Sequence, residues 1–370
     1  MNNLRHPADR VQIERVDVAA YTVPTDAPES DGTLQWDKTT LVLVHITAGM
    51  WRGLGYTYAD QATADLIQDT LVPEILHRNA FDIPLLWRCM VDRIRNLGRP
   101  GISSMAISAV DVALWDLKAR ILDVPLVSLL GTARDTITVY GSGGFCSYTA
   151  QQLEDQFLAW LEKGIHLFKM KVGRDARADT HRVRHAHEVI GPTNELMVDA
   201  NGAYTRKMAL LQAERFADQR VCWFEEPVSS DDLEGLRVLR NRAPAGMDIA
   251  AGEYGYDAYY FRRMIEAGSV DVLQADATRC GGVTGFLQAA NLCAGWGIPL
   301  SSHTAPGIHM HLGCACDAVR HLEYFHDHER IERMFFAGNV EVTNGVLRPD
   351  LARPGLGLEF KLADAKRFAA

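Results

Sequence analysis

Lys169, Lys171, Asp199, Glu225, Glu253, Asp276, His303 and Glu323 each stand at or near the end of a short apolar run. After the lysine pair they are spaced roughly 20 to 28 residues apart, about one strand-plus-helix unit. A parallel (β/α) barrel gathers the carboxyl ends of its strands at one mouth, so side chains this far apart in sequence converge on one small volume. Three acids there, with water and a bidentate ligand, complete the near-octahedral oxygen shell that Mg2+ prefers, which makes Asp199, Glu225 and Glu253 a candidate metal set. Taken singly, each acid reads more readily as a helix cap or an arginine partner, and it is their common register that favours the metal.

The remaining groups have the chemistry of proton transfer. Strand side chains alternate with a period of two, so Lys169 and Lys171 share one face, here the barrel interior. Two adjacent cations disfavour each other's charge, and the expectation is a lysine of lowered pKa that serves as a base; solvated lysines on an edge strand are the alternative. Asp276 and His303 end neighbouring predicted strands, where the carboxylate would fix the imidazole tautomer and stabilise its charged form. The chain has thirteen histidines, His309 and His311 among them, so a purely structural His303 is the competing reading. Glu323, in the run HLEYF, is expected either to donate a hydrogen bond to an oxyanion, if burial raises its pKa, or to pair with Arg320.

The elements that must position these groups are legible as strict alternation of short apolar runs and amphipathic stretches from about residue 136. Candidate strands lie at 137–141, 166–172, 196–199, 221–225, 248–253, 270–275, 298–303 and 320–323, the eight that a barrel needs. The intervening helix 206–219 is expected to turn Met208, Leu211, Ala213 and Phe216 to the core. Upstream, strands at 11–23 and 39–47 are separated by a Pro, Asp, Gly and Ser-rich stretch at 24–38, read as a hairpin with a mobile connection. Helices follow over 60–78 and 103–121, so the N-terminal region reads as a small α+β domain. The Gly and Pro-rich tail NGVLRPDLARPGLGLEF is expected to return and pack on it.

Composition narrows the partners. A hydrophobic content of 47% is enough for a buried core, and a net charge of −9 with dispersed Lys and Arg disfavours nucleic acid and anionic membrane surfaces. The first 25 residues lack the apolar core of a signal peptide and no run approaches the ~18 residues of a membrane span, so a cytoplasmic protein acting on a small molecule is expected. The seven cysteines are dispersed and read as reduced thiols; Cys314 and Cys316 have no companion pair at zinc-site spacing.

The stretches SAVDVALWDLKAR (108–120), FKMKVG (168–173), VDANGAY (198–204), WFEEP (223–227), IAAGE (249–253), QADATRCGG (274–282), SSH (301–303) and HLE (321–323), in this order, resemble the enolase superfamily and within it the mandelate racemase subgroup. The resemblance covers nearly the whole chain. It implies an α/β fold, a (β/α)7β modified TIM barrel with an α+β capping domain, divided here as cap 1–132, barrel 133–340 and a tail 341–370 returning to the cap. It further implies Asp199, Glu225 and Glu253 as Mg2+ ligands, Lys171 as base on one face of the substrate and His303, oriented by Asp276, on the other, with Lys169 and Glu323 at the carboxylate or its oxyanion. A Lys or His base working with Mg2+ is the pattern already known for that superfamily. The related muconate cycloisomerase pattern needs a lysine beyond the fifth or sixth strand, and there is none from 208 to 360.

Such a site removes the proton beside a carboxylate; the enediolate that results is either reprotonated or expels a β-hydroxyl. The capping stretches 24–38 and 50–58 hold Asp26, Glu29, Asp31, Gln35, Trp36, Lys38, Trp51, Arg52, Tyr56 and Tyr58, a polar and aromatic set suited to a polyhydroxylated substrate. The expectation is an acid-sugar dehydratase, turning an aldonate or aldarate into its 2-keto-3-deoxy acid. A 2-hydroxy-acid racemase or epimerase, a sugar-lactone cycloisomerase, and a catalytically silent barrel are the alternatives. The resemblance also implies a homo-oligomer.

Overall fold

The computed structural model describes residues 11–370, so the start of the expected cap, and the first ten positions of the stretch read for a leader, lie outside the described residues. Three antiparallel strands open the chain: β1 (Arg15–Ser30), β2 (Gln35–Ala48) and β3 (Trp51–Tyr58). Pairing runs from Arg15 opposite Thr47 to Pro24 opposite Lys38, shifts register, and resumes with Glu29 opposite Trp36 and Ser30 opposite Gln35. The stretch 24–38 is therefore mostly strand, and only the turn between Ser30 and Gln35 is left of the expected connection. Pro24 and Pro28 concealed this, because prolines in a sheet belong to edges and bulges, and β1 is an edge strand with a bulge at that point.

The stretch 50–58 is likewise a strand, disguised by Gly53 and Gly55. Both face the long helix Ile102–Ile121, and a Cβ at either would sit 2.3 Å from the Ala113 carbonyl oxygen or 2.2 Å from that of Ala109. The glycines mark close backbone approach, which lets this largely buried helix lie directly on the sheet. Its far side meets the barrel: Trp115 Nε1 donates to Thr284 Oγ1 at 3.0 Å, and Asp111 accepts from Thr284 N at 2.9 Å. The expected helix over 60–78 is present as Gln61–Leu66, a π-helical turn Ile67–Leu71 and Val72–Ile75.

The barrel has eight parallel strands: β4 (Ile137–Gly143), β5 (Leu167–Lys171), β6 (Glu195–Asp199), β7 (Val221–Glu225), β8 (Asp248–Ala251), β9 (Val272–Ala275), β10 (Leu300–Ser302) and β11 (Val319–Phe325). They neighbour one another in chain order, and Leu322 to Phe325 pair with Val139 to Ser142 to close the ring. A helix connects each strand to the next, seven in all, and an eighth, His326–Phe335, follows β11. Tyr140, Met197, Trp223, Ala250 and Val272 pack together as a small cluster apart from the main core. Residues of the other parity, such as Phe168, Val198 and Phe224, belong to the large core that includes the surrounding helices.

Helix Arg206–Ala217 buries Ala213 and Phe216 as expected, but Met208 and Leu211 are 38% and 41% exposed. Ala209 and Gln212 take the inward positions, because the buried stripe runs through 209, 212, 213 and 216 and leaves 208 and 211 on its flank. The tail does return to the cap. Buried Asp116 accepts from Leu54 N of β3 and from Leu356 N of the tail, each at 2.7 Å, and Arg120 bridges Asp116, Glu359 and the Leu358 carbonyl. All seven cysteines are free thiols, and Cys280, Cys293, Cys314 and Cys316 are buried.

Candidate active site

Every residue singled out for proton or metal chemistry reaches the same end of the barrel. Lys169 and Lys171 project from β5 on the face opposite Phe168 and Met170; Asp199 and Glu225 are the last residues of β6 and β7. Glu253 lies two residues past β8, Asp276 follows β9, His303 follows β10, and Glu323 sits within β11. All are buried.

Asp199, Glu225 and Glu253 each bring one oxygen within 4.8 Å of the others. Three hard anions so close repel one another: burial, then the charge of Asp199, pushes Glu225 up to about 8. Glu253 Oε2 is buried with no hydrogen-bond partner, although His303 Nε2 stands 3.1 Å away in poor alignment. Both observations fit a divalent cation with oxygen ligands. The lysines lean into the same space: Lys169 Nζ is 2.8 Å from both Glu225 oxygens and from Glu323 Oε1, and Lys171 Nζ is 2.5 Å from Asp199 Oδ2.

That placement overturns the expectation of a lowered lysine pKa. Burial disfavours each ammonium, but Glu225 and Glu323 beside Lys169, and Asp199 beside Lys171, raise both above the ordinary lysine value. The two lysines do repel each other, but the carboxylates outweigh them. Glu323 is corrected in the same way. Burial acts to raise it, yet Lys169 and His303 hold it down at about 2, so it is a carboxylate here and not a neutral donor. It accepts from Thr304 N at 3.1 Å, and Arg320, its alternative partner, pairs with Asp248 instead.

The expected dyad is formed. His303 Nδ1 donates to Asp276 Oδ2 at 2.8 Å, while Asp276 Oδ1 accepts from the Thr278 N–H and hydroxyl, both at 2.7 Å. Thr278 thus leaves Oδ2 to the imidazole and fixes its orientation. Burial would lower the His303 pKa, but Glu253, Glu323 and Asp276 together raise it to about 9. His309 is structural: its Nδ1 donates to the Thr304 carbonyl at 2.7 Å and its Nε2 accepts from Ala277 N at 2.9 Å, so it holds the loops of the dyad as a neutral ring.

Several further residues complete the site; Arg279 and Ala305 stand in stretches after Asp276 and His303 whose roles the sequence leaves unassigned. Glu226, 2% exposed and in the left-handed region at φ 37°, crowds the metal set, and burial, then Glu253, raises its pKa well above the usual range. The doubled acid of WFEEP was the available signal. Arg279 donates to the Glu253 carbonyl at 3.2 Å and lies 3.6 Å from Glu253 Oε1 and 3.8 Å from Asp276 Oδ2, between the metal set and the dyad. Thr304 and Ala305 follow His303 with φ of 51° and 40°, a left-handed pair that turns the chain at once into the next helix. No residue pattern announces that turn.

Of the capping residues, Glu29 accepts from Trp36 Nε1 at 2.7 Å, Tyr56 donates to Glu332 at 2.6 Å, and Tyr58 stacks on His328 with ring centroids 3.4 Å apart. Trp36 also meets Phe145, just past β4, at 5.6 Å. Trp51 and Arg52 do not join them. They line a separate cavity of about 580 Å³ with His45, Tyr21 and the tail residue Phe360. Gln35 and Lys38 are exposed.

Comparison with known proteins agrees with this geometry. The family model for the mandelate racemase / muconate lactonizing enzyme N-terminal domain matches residues 15–131, and that for the enolase C-terminal domain-like region matches 152–365. A mandelate racemase/muconate lactonizing enzyme-like protein from Rubrobacter xylanophilus has a solved structure that is 52% identical, covers 97% of this chain and all of its own, and superposes with a TM-score of 0.95. The 3,6-anhydro-alpha-L-galactonate cycloisomerase of Streptomyces coelicolor is 33% identical over 94% of this chain and 98% of its own. L-Talarate dehydratase from Polaromonas sp. JS666, solved with Mg and L-glucarate, is 30% identical with a TM-score of 0.88, and 97% of each chain is covered.

Proposed function

This chain is an enzyme of the mandelate racemase/muconate lactonizing enzyme family, and on that premise we propose that it is an Mg2+-dependent acid-sugar dehydratase that converts an aldonate or aldarate to a 2-keto-3-deoxy acid. The observation that carries the reading is one buried space holding three carboxylates, a lysine and a His–Asp dyad. The dehydratase relative solved with magnesium and an acid sugar supports it.

Asp199, Glu225 and Glu253 would hold the cation. When bound, it supplies positive charge that offsets the negative charge developing on the substrate carboxylate as the α-proton leaves. Lys171 is the base that takes the proton at Nζ; Asp199 first, then Glu253 and Glu225, favour its ammonium, and its neutral amine would be favoured when those carboxylates hold a cation instead. His303, projecting past β10 and carrying a proton on Nε2, gives it to the departing β-hydroxyl, so water leaves and the enol becomes the 2-keto acid. Asp276, accepting from Nδ1–H, turns Nε2 to the substrate and stabilises the imidazolium that carries the proton there. Lys169 pairs with the substrate carboxylate. Glu323, as a carboxylate, positions Lys169 and the Thr304 turn, a role that replaces the oxyanion donor expected from sequence. Polar and aromatic residues of the cap, Trp36 and Tyr58 among them, favour a polyhydroxylated acid over an aryl acid.

The test is a panel of aldonates and aldarates with Mg2+, read by formation of 2-keto-3-deoxy acid. If none forms while an α-proton exchanges with D2O, dehydration is wrong and the enzyme is a racemase or epimerase. A lactone cycloisomerase is the second reading, favoured by the cycloisomerase relative. It would appear as consumption of a sugar lactone or anhydro acid without a keto product.

A further inference from the structure

A second group of metal-capable side chains lies where the cap meets the end of the last barrel strand. Asp26 lies within the register shift of β1 and Glu29 is the first residue paired after it, and His326 is the first residue after β11. One ligating atom from each lies within 4.8 Å of the others, and His326 Nε2 is 2.9 Å from Asp26 Oδ2. Glu29 is fully buried. Its Oε2 accepts from Trp36 Nε1, while its Oε1 is buried with no hydrogen-bond partner at all. An orphaned carboxylate oxygen in such a position is costly unless a cation meets it. The nearby guanidinium does not do so: Arg330 donates to Asp327 Oδ1 at 2.6 Å and to the Pro24 carbonyl at 2.8 Å.

The geometry points to a second divalent-metal site formed by Asp26, Glu29 and His326, of the borderline class that includes Zn2+, clipping the capping hairpin to the barrel beside the mouth. One imidazole with two carboxylates suits Zn2+ better than the all-oxygen set of the barrel, which suits Mg2+. Asp26 and His326 retain side-chain exposures of 45% and 23%, so an ion has a path from solvent and room for water ligands.

The test is Zn2+ binding to the full chain, by equilibrium dialysis and metal analysis in excess Mg2+, with hydrogen exchange over 24–38 as a second readout. The expected result is about one Zn2+ per chain, lost in Glu29→Gln and weakened by about tenfold or more in His326→Gln, and retained in Asp199→Asn. Zn2+ should slow exchange over 24–38 in the wild-type chain and not in His326→Gln. The proposal is overturned if no Zn2+ binds, if binding is lost in Asp199→Asn instead, or if it survives undiminished in both Glu29→Gln and His326→Gln. His326 is partly exposed, so its variant remains informative even if the buried Glu29→Gln disturbs folding.

Discussion

Gly32, at the tip of the β1–β2 hairpin, is pressed against the barrel. A Cβ built there would lie 2.5 Å from the Ala200 carbonyl oxygen, 2.7 Å from that of Val172 and 2.8 Å from Ala203 Cβ. Two of these neighbours are backbone atoms just past β5 and β6, the strands that carry Lys171 and Asp199, and Val172 N donates to Asp199 O, so they have little freedom to yield. Gly32 does not lie in the left-handed region, and the cost of a methyl group there is therefore one of space alone. In Gly32→Ala the hairpin tip must retreat by about 0.9 Å to restore an ordinary contact, or bear an overpacking cost of about 1–3 kcal/mol. If the seated hairpin is the working state, that corresponds to a loss of roughly 5- to 150-fold in its population and in kcat/KM. Steady-state kinetics on the substrate found in the acid-sugar panel would measure it, with hydrogen exchange at Thr33 and Leu34, whose amides donate to Asp31, reporting the lift directly. A variant with kcat/KM within about threefold of wild type and unchanged exchange would refute the argument that this contact closes the site.

Asp276→Asn should keep the fold but present an amide N–H to His303 Nδ1, which forces the wrong tautomer. A buried Asp→Asn change behind a catalytic histidine costs up to about 10⁴ in kcat, and loss of one charge-assisted hydrogen bond alone costs about 10- to 150-fold. A kcat in the wild-type range, with an unshifted pH profile, would remove the dyad from the mechanism. Because Asp276 raises the His303 pKa, the variant should also lose activity at lower pH than wild type, if His303 acts in its protonated form. Lys171→Ala should abolish turnover, and so should His303→Asn, with α-proton exchange surviving in one of the two at most; full activity in both would refute the assignment of bases. Asp199→Asn should weaken Mg2+ binding by about tenfold or more in calorimetry, and unchanged affinity would exclude the carboxylate set. Asp111 and Glu332 are raised by burial to about 7 and about 8, so the fold favours their neutral forms. Their stabilisation is present in full below the ordinary carboxylate pKa and is lost as pH rises through those values. Above about pH 7, where the buried neutral histidines His45, His311 and His321 no longer titrate in either state, the urea midpoint should therefore fall, and the fall should shrink in Glu332→Gln; a flat profile in the wild-type chain from about pH 7 to about pH 9 would contradict this.

The barrel was legible because its strands carry a strong local signal. A parallel strand buried on both faces must be a short apolar run, and a side chain ending that run is placed by the topology with little help from its neighbours. Asp199, Glu225 and His303 could be read in this way. What local pattern cannot supply is the sign of an electrostatic balance among groups brought together from distant strands. Lys169 and Lys171 read as mutually repelling cations because they are adjacent in sequence, whereas Glu225, Glu323 and Asp199, from other strands, decide their charge state. Glu323 was misread for the same reason. In the cap, β3 and the end of β1 were missed because glycine and proline weigh against a strand wherever close packing or an edge position is not visible, and Gly53 and Gly55 are explained only by a helix some fifty residues further on.

Asp116 joins Leu54, from the third strand of the chain, to Leu356, near its end. During synthesis the ribosome therefore delivers every acid and base of the barrel before it delivers the residue that secures the roof above them. The nascent chain would carry its reactive groups under an unfinished cover until Leu356 emerges, and a chain stopped before Leu356 would stay in that immature state.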